Sequence, residues 1–367
     1  MFYTQDDHNH NRRVGWICTY TPEEVILAAG FTPYRILPSP GERNPDDLLP
    51  SNICPYVRQV ARAVRDGSCN NLEGVVVAHS CNAMMHLYSV LQEEVDGFVY
   101  LLDLPRHRGE DAATYFAHEL TMLADFLSER GEFINEERLR EATKIYGERE
   151  GYFSNLLYHD SQALSRYGFS GWYGLAVEAA TSPPVYFNGE LARIVEDNRF
   201  KQAPSREYQE VPALLLTGGI PPRSMMEVLL KSLKEFSSYQ LLPENCAGMR
   251  YLQREPASFE DGCTATREKM LQEIARSYLK KPPCPRIFHY QHRERYFRRL
   301  LEQYHIQGVV YHDLMFCDMS HYDYLLVKEI LDEKEIPVLQ VKTELGAEEV
   351  GPLKTRIEAF LELMEVG

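Results

Sequence analysis

The sequence predicts an α/β protein with two doubly wound parallel-sheet domains and a helical connecting segment. Three observations predict it. Short apolar runs recur, and each is followed by an amphipathic stretch. The runs are apolar throughout rather than alternating, as expected for strands covered on both faces. The alternation stops and later resumes, leaving a helical stretch between two strand-bearing blocks. The pattern is flavodoxin-like or Rossmann-like, with an N-terminal α/β domain over 1–130, a helical connecting segment over 131–210 and a C-terminal α/β domain over 211–367.

Residues 15–20 read as the first strand. It runs into Thr21-Pro22-Glu23-Glu24, where Thr21 can cap a helix, Pro22 fits the first turn and Glu24 completes a capping box. Further strands are expected at 33–37, 74–79 and 97–102, with helices at 55–66 and 83–92 between them. From 111 to 167 the apolar spacing is helical only. Strands return at 213–219, 239–242, 308–312 and 337–341, with helices at about 222–236, 264–280, 290–305, 320–334 and 352–364. Thr181-Ser182-Pro183-Pro184 and Ala203-Pro204-Ser205 are the best linker candidates. No period of 20–50 residues repeats.

The composition excludes several classes. Apolar residues make up 44% and charged residues 25% of 367, which rules out a mostly disordered chain. A net charge of −15 opposes nucleic-acid binding, and the densest basic stripe, 292–299, reads as one helix face interrupted by an acid. The first residues have neither the basic nor the apolar region of a signal peptide, and no apolar run nears the ~18 residues of a membrane span. The expectation is a cytoplasmic protein with no membrane and no nucleic-acid partner.

There are eight cysteines, at 18, 54, 69, 81, 246, 263, 284 and 317, and no two are spaced C-x-x-C. A zinc ribbon, a dithiol redox motif and a ferredoxin-type run all fail on that spacing. Any shared metal must therefore draw ligands from distant parts of the chain. Open α/β sheets bind ligands beyond the carboxyl ends of their strands. Cys81 and Cys317 follow expected strands and precede helices, and Cys54-Pro55 sits at a helix start. A helix N-terminus, with its unpaired N–H groups, lowers a thiol pKa and supports a thiolate. Cys18 reads as strand core, Cys69 as a loop residue, Cys263 and Cys284 as structural, and Cys246 as ambiguous. His79 and Ser80, at a strand end, are the candidate catalytic residues, for proton supply and for a hydrogen bond to a substrate or sulfur. Tyr20 and His312 are lesser candidates of the same kind. Arg250 reads as an anion holder or a salt-bridge partner.

The stretch from Gly15 to Glu24, followed by Ala28-Ala29-Gly30, resembles the opening of the 2-hydroxyacyl-CoA dehydratase / benzoyl-CoA reductase family. So do Cys54-Pro55-Tyr56-Val57-Arg58, His79-Ser80-Cys81 and Leu102-Asp103-Leu104-Pro105-Arg106. Leu216-Thr217-Gly218, Cys246-Ala247-Gly248-Met249-Arg250, Met315-Phe316-Cys317-Asp318 and residues 354–360 follow in family order, so the likeness covers about 14–364. The resemblance implies a dehydratase D-component-like subunit with two α/β domains and a [4Fe–4S] cluster on Cys54, Cys81 and Cys317, one iron remaining free of protein. It implies radical elimination of water from a 2-hydroxyacyl-CoA thioester under anaerobic conditions, started by one low-potential electron. The implied partners are a homologous second subunit in a heterodimer, or a second copy in a homodimer, and an ATP-dependent activator with its own iron–sulfur cluster. No P-loop appears in this chain. The alternatives are a benzoyl-CoA-reductase-like enzyme, a reductase with a double-cubane [8Fe–9S] cluster, and a non-catalytic partner subunit. Asn82, Val60 and Pro352 stand where the family usually has Asp, a further Cys and Gln.

Overall fold

The computed structural model describes residues 12–37, 48–67, 71–158, 173–196, 212–235, 239–259, 265–344 and 350–366. Among these residues eight strands form two four-stranded, all-parallel sheets. The first contains β1 (Arg13–Trp16), β2 (Thr32–Arg35), β3 (Leu72–Ala78) and β4 (Phe98–Leu102). The second contains β5 (Ala213–Gly218), β6 (Gln240–Glu244), β7 (Ile306–Leu314) and β8 (Val338–Thr343). Their orders are β2-β1-β3-β4 and β6-β5-β7-β8, so the two sheets share one topology. Each also slips register after the first residue of its first strand, between Arg13 and Val14 and between Ala213 and Leu214. Helices cover both faces, as parallel crossovers require.

Most expected elements are present with shifted ends. The first strand is the informative case. It ends at Trp16, and the chain turns at once, Thr21 N–H donating to the Cys18 carbonyl at 2.9 Å. Cys18 therefore lies outside the strand. The helix Glu23–Ala28 has Pro22 at its N-cap and no side-chain cap, so the expected capping box is absent. Glu24 is instead fully buried against Arg254 and Tyr278. Burial of a carboxylate demands a cation, and a cap would have left it unpaired.

Between the sheets run the helices Glu110–Ser128 and Glu136–Tyr158, a helical stretch at 173–181, and the helix Pro184–Glu196. Thr181–Pro184 is a corner between helices rather than a linker, and Ala203–Ser205 lies outside the described residues. The largest core passes from Val14 and Trp16 through Phe116, Tyr146 and Phe153 to Leu214 and Leu216. Apolar packing is thus continuous from one sheet to the other.

Buried polar contacts fix how the halves meet. Glu23 accepts from Arg149 at 3.2 Å and from the Tyr251 hydroxyl at 3.2 Å. Arg35 stands over both the Trp16 and Tyr251 rings. Arg254 serves two carboxylates, Glu24 and Glu150. Desolvation, with a second carboxylate nearby, pushes Glu150 up to about 7. As pH rises through the ordinary carboxylate range the unfolded state ionises first, so stability should decline until the folded group ionises near 7. Glu150→Gln keeps an acceptor for Arg254 and is expected to flatten this slope, worth about 3 kcal/mol. Thermal unfolding from pH 4 to 8 is the check, and an unchanged slope would contradict the assignment.

Candidate functional site

The carboxyl ends of both sheets face a common cavity of about 160 Å³. Three of its cysteines occupy one kind of position. Cys54, Cys81 and Cys317 are the N-cap residues of the helices Pro55–Arg65, Asn82–Glu94 and Asp318–Glu333. In each case the cysteine carbonyl accepts an N–H from the following helix, at 3.0–3.1 Å. Cys81 follows β3 and Cys317 follows β7, equivalent strands of the two sheets. All three stand at the helix starts expected from the sequence, and residues 263 apart in the chain line one cavity.

The Cys317 thiol lies within hydrogen-bonding range of the Cys54 sulfur. That contact lowers the Cys54 pKa and raises that of Cys317. The N–H groups of Val57 and Tyr56 also favour the Cys54 thiolate. Burial raises the pKa of Cys81, opposed by the N–H groups of Met84 and Ala83, with the charge of Cys317 nearby. Each sulfur thus sees the N–H groups at the start of its own helix, the dipole end that stabilises negative charge.

Three further cysteines line the same cavity, Cys18, Cys246 and Cys284. This corrects the reading of Cys18 as strand core, and it puts Cys284, read as structural, in the cavity wall. Cys18 is released by the early end of β1, and Cys246 lies in the turn after β6. Both obey the rule that located Cys81, that ligands gather beyond strand carboxyl ends. The sequence signal was present but hidden by a strand end placed four residues late. Cys246 and Cys284 form a second close pair. The hydrogen bond from Cys284 lowers the pKa of Cys246, helped by Arg250, Arg35 and Lys281, and raises that of Cys284. Cys69 and Cys263 lie outside the described residues.

Cations brace this second group. Arg35 donates to the Cys246 carbonyl at 2.7 Å. Arg286 donates to the Pro105 carbonyl at 2.9 Å, but its Nε and Nη2 are buried with no partner among the described residues. Arg250 is held by Glu244 through two bonds of 2.6 and 2.8 Å, so it is a salt-bridge residue with one side on the cavity. Gly218 and Gly219 form part of the wall. Gly218 has φ of +94°, and a Cβ there would lie 2.2 Å from the His312 carbonyl oxygen, so glycine is required for this close strand approach.

Ser80 lines the cavity. His79 does not; its Nδ1 pairs with Asp103 at 2.9 Å. Tyr20 is buried beside Arg286, with the guanidinium 4.2 Å from its ring centre. His312 is fully buried, its Nε2 is 2.7 Å from the Thr343 hydroxyl, and desolvation pushes it down to about 4, so it is a neutral structural group.

Among the described residues, no three Cys, His, Asp or Glu side chains close tightly on a single metal ion. The donors are thiols alone, spread around a volume larger than one ion. Chemically the cavity suits a soft, anionic group that several thiolates grip at separate atoms.

The profile of the family described as 2-hydroxyglutaryl-CoA dehydratase, D-component, matches residues 18–364. An Escherichia coli (strain K12) protein, YjiM, named only provisionally as a dehydratase subunit, is 24% identical over 96% of this chain and 91% of its own. The beta subunit of (R)-phenyllactyl-CoA dehydratase from Clostridium sporogenes is 20% identical over 96% of this chain and 92% of its own. The beta subunit of (R)-2-hydroxyglutaryl-CoA dehydratase from Acidaminococcus fermentans matches at 20% over the same shares.

Proposed function

Because the chain belongs to the 2-hydroxyglutaryl-CoA dehydratase D-component family, we propose that it is the iron–sulfur subunit of a low-potential acyl-CoA enzyme of the 2-hydroxyacyl-CoA dehydratase kind. The observation that carries the reading is the convergence of Cys54, Cys81 and Cys317, each at a helix N-terminus and drawn from both sheets, on one cavity. The residues fit a [4Fe–4S] cluster. The donor set is sulfur only, the helix ends favour thiolates, and three ligands leave one iron corner open. When bound, such a cluster supplies a single low-potential electron and an open Lewis-acid corner. The protein's own part is to hold the sulfurs, exclude water with the Leu314, Met84 and Ile17 walls, and place the Ser80 hydroxyl beside the open space. His79, oriented by Asp103, stands one residue away as a proton carrier for that hydroxyl's neighbourhood. A homologous second subunit, supported by relatives named as beta subunits, completes the reading together with an ATP-hydrolysing activator.

A second reading has its own support. Six cysteines line the cavity, and Cys18, Cys246 and Cys284 are braced by Arg35, Arg250 and Arg286. Twice the thiols, with added cations, suit the larger and more negative double-cubane [8Fe–9S] cluster and hence a reductase. Iron and sulfide analysis of anaerobically purified protein separates the readings. About four irons per chain supports the dehydratase-type cluster, about eight the double cubane, and none would reject both in favour of a non-catalytic subunit. Under the second reading, Cys246→Ser with Cys284→Ser is expected to lose roughly half or more of the iron; under the first, none.

A further inference from the structure

Next to the cysteine cavity is a larger one of about 620 Å³, well within the ~300–1,000 Å³ usual for small-molecule sites. Its wall carries Arg108, Lys280, His292, Arg295 and Arg299 against one carboxylate, Glu255. This is unexpected in a chain of net charge −15. Among the described residues, no carboxylate lies within ion-pair distance of Arg108, Lys280, Arg295 or Arg299. Elsewhere the arginines of these helices are paired. Arg298, beside Arg299, holds Glu294 and Glu333, and Arg276 holds Glu110 and Glu273.

The polar atoms of the wall repeat the imbalance. Arg108 donates through Nη2 to the Lys281 carbonyl, yet its Nε is buried without a partner. The Tyr296 hydroxyl and Arg254 Nη1, also in this wall, are buried and unpartnered. Arg295 has bonds only to the Gln291 carbonyl and His292 Nδ1, both 3.2 Å. Unpaired guanidinium forks from separate segments around one volume match a doubly or multiply charged phosphate ligand.

We propose that this cavity binds the diphosphate of a small phosphorylated ligand. Its position gives the site a place in the molecule's chemistry. Lys280–Pro283 face this cavity, and the next three residues, Cys284 to Arg286, face the cysteines. One chain segment is the partition between them, so a ligand gripped here by its phosphates lies beside the reaction chamber. A free nucleotide and the nucleotide end of coenzyme A share this chemistry; the second source alone rests on the acyl-CoA reading.

The test is titration calorimetry of anaerobically purified full-length protein with inorganic pyrophosphate, ADP and coenzyme A at low and high salt. Binding of at least one is expected, weakened by salt and weakened about tenfold or more in Arg295→Ala/Arg299→Ala. Both side chains are exposed, so this variant should fold, and an unchanged melting temperature verifies that. Arg193→Ala, at an exposed cation outside this wall, should bind as the parent does. Coenzyme A bound more tightly than ADP assigns the site to a thioester carrier, and ADP bound at least as tightly assigns it to a nucleotide. Failure of all three probes to bind, or equal binding by the double variant, overturns the proposal. Iron measured on the same samples should be unaffected, so an error in the cluster reading shows separately.

Discussion

Cys317→Ala is expected to strip the protein of iron, from about four or more atoms per chain to near zero. Cys317 follows β7, contacts the Cys54 sulfur and sits at the start of the helix Asp318–Glu333. It is the member of the first trio that comes from the second sheet, so its loss removes the link across the cavity. Cys54→Ala and Cys81→Ala should have the same effect, whereas Cys69→Ala should retain iron. The readout is iron per chain and the broad visible absorbance of anaerobic samples. Equal loss in all four variants, or retention in Cys317→Ala, would remove the ligand assignment.

The second large effect is on stability. Glu244, at the end of β6, is fully buried and accepts from Arg250 at 2.6 and 2.8 Å, from Arg293 at 2.9 Å twice, and from Thr217 at 2.6 Å. Despite its burial, the two arginines hold its carboxyl down to about 2. Glu244→Ala leaves Arg250 and Arg293 buried with Asp323 as the remaining carboxylate, through its bonds to Arg293. Breaking such a network from one side costs about 3–5 kcal/mol. Denaturant unfolding is the measurement, and a loss under about 1 kcal/mol would contradict this account. The pH dependence has a fixed sign. Because the folded pKa is depressed, the contribution is complete above the unfolded value near 4.5 and disappears as pH falls toward 2. The variant should lack that acid slope. Arg250 also touches the cavity, so the same change loosens a cation beside Cys246.

The parallel sheets were legible in the sequence because a strand buried on both faces leaves an uninterrupted apolar run, as in Val75-Val76-Val77 and Leu214-Leu215-Leu216. Cys81 and Cys317 were legible because a strand and a helix pattern bracket them, and Cys54 because Pro55 marks a helix start. Strand ends were less legible. Ile17 is as apolar as the strand before it, so nothing local shows that pairing stops at Trp16 and leaves Cys18 free to line the cavity. Cys284 lies between prolines in a segment without periodicity, and only the packing of distant elements puts it against Cys246. Glu24 misled for a similar reason. A capping box and a buried ion pair both need an acid at that place, and the deciding partner, Arg254, is 230 residues away. The shared strand order of the two sheets is a likeness of topology, which needs no likeness of residues.

The two neighbouring acids Glu23 and Glu24 act as a pair of keyed pins. They enter different sockets, and sliding the short helix that bears them by one position would strand both in a dry interior. Every counterpart they use belongs to the polypeptide itself. The frame around the sulfurs is therefore locked by pairings that the chain makes with itself.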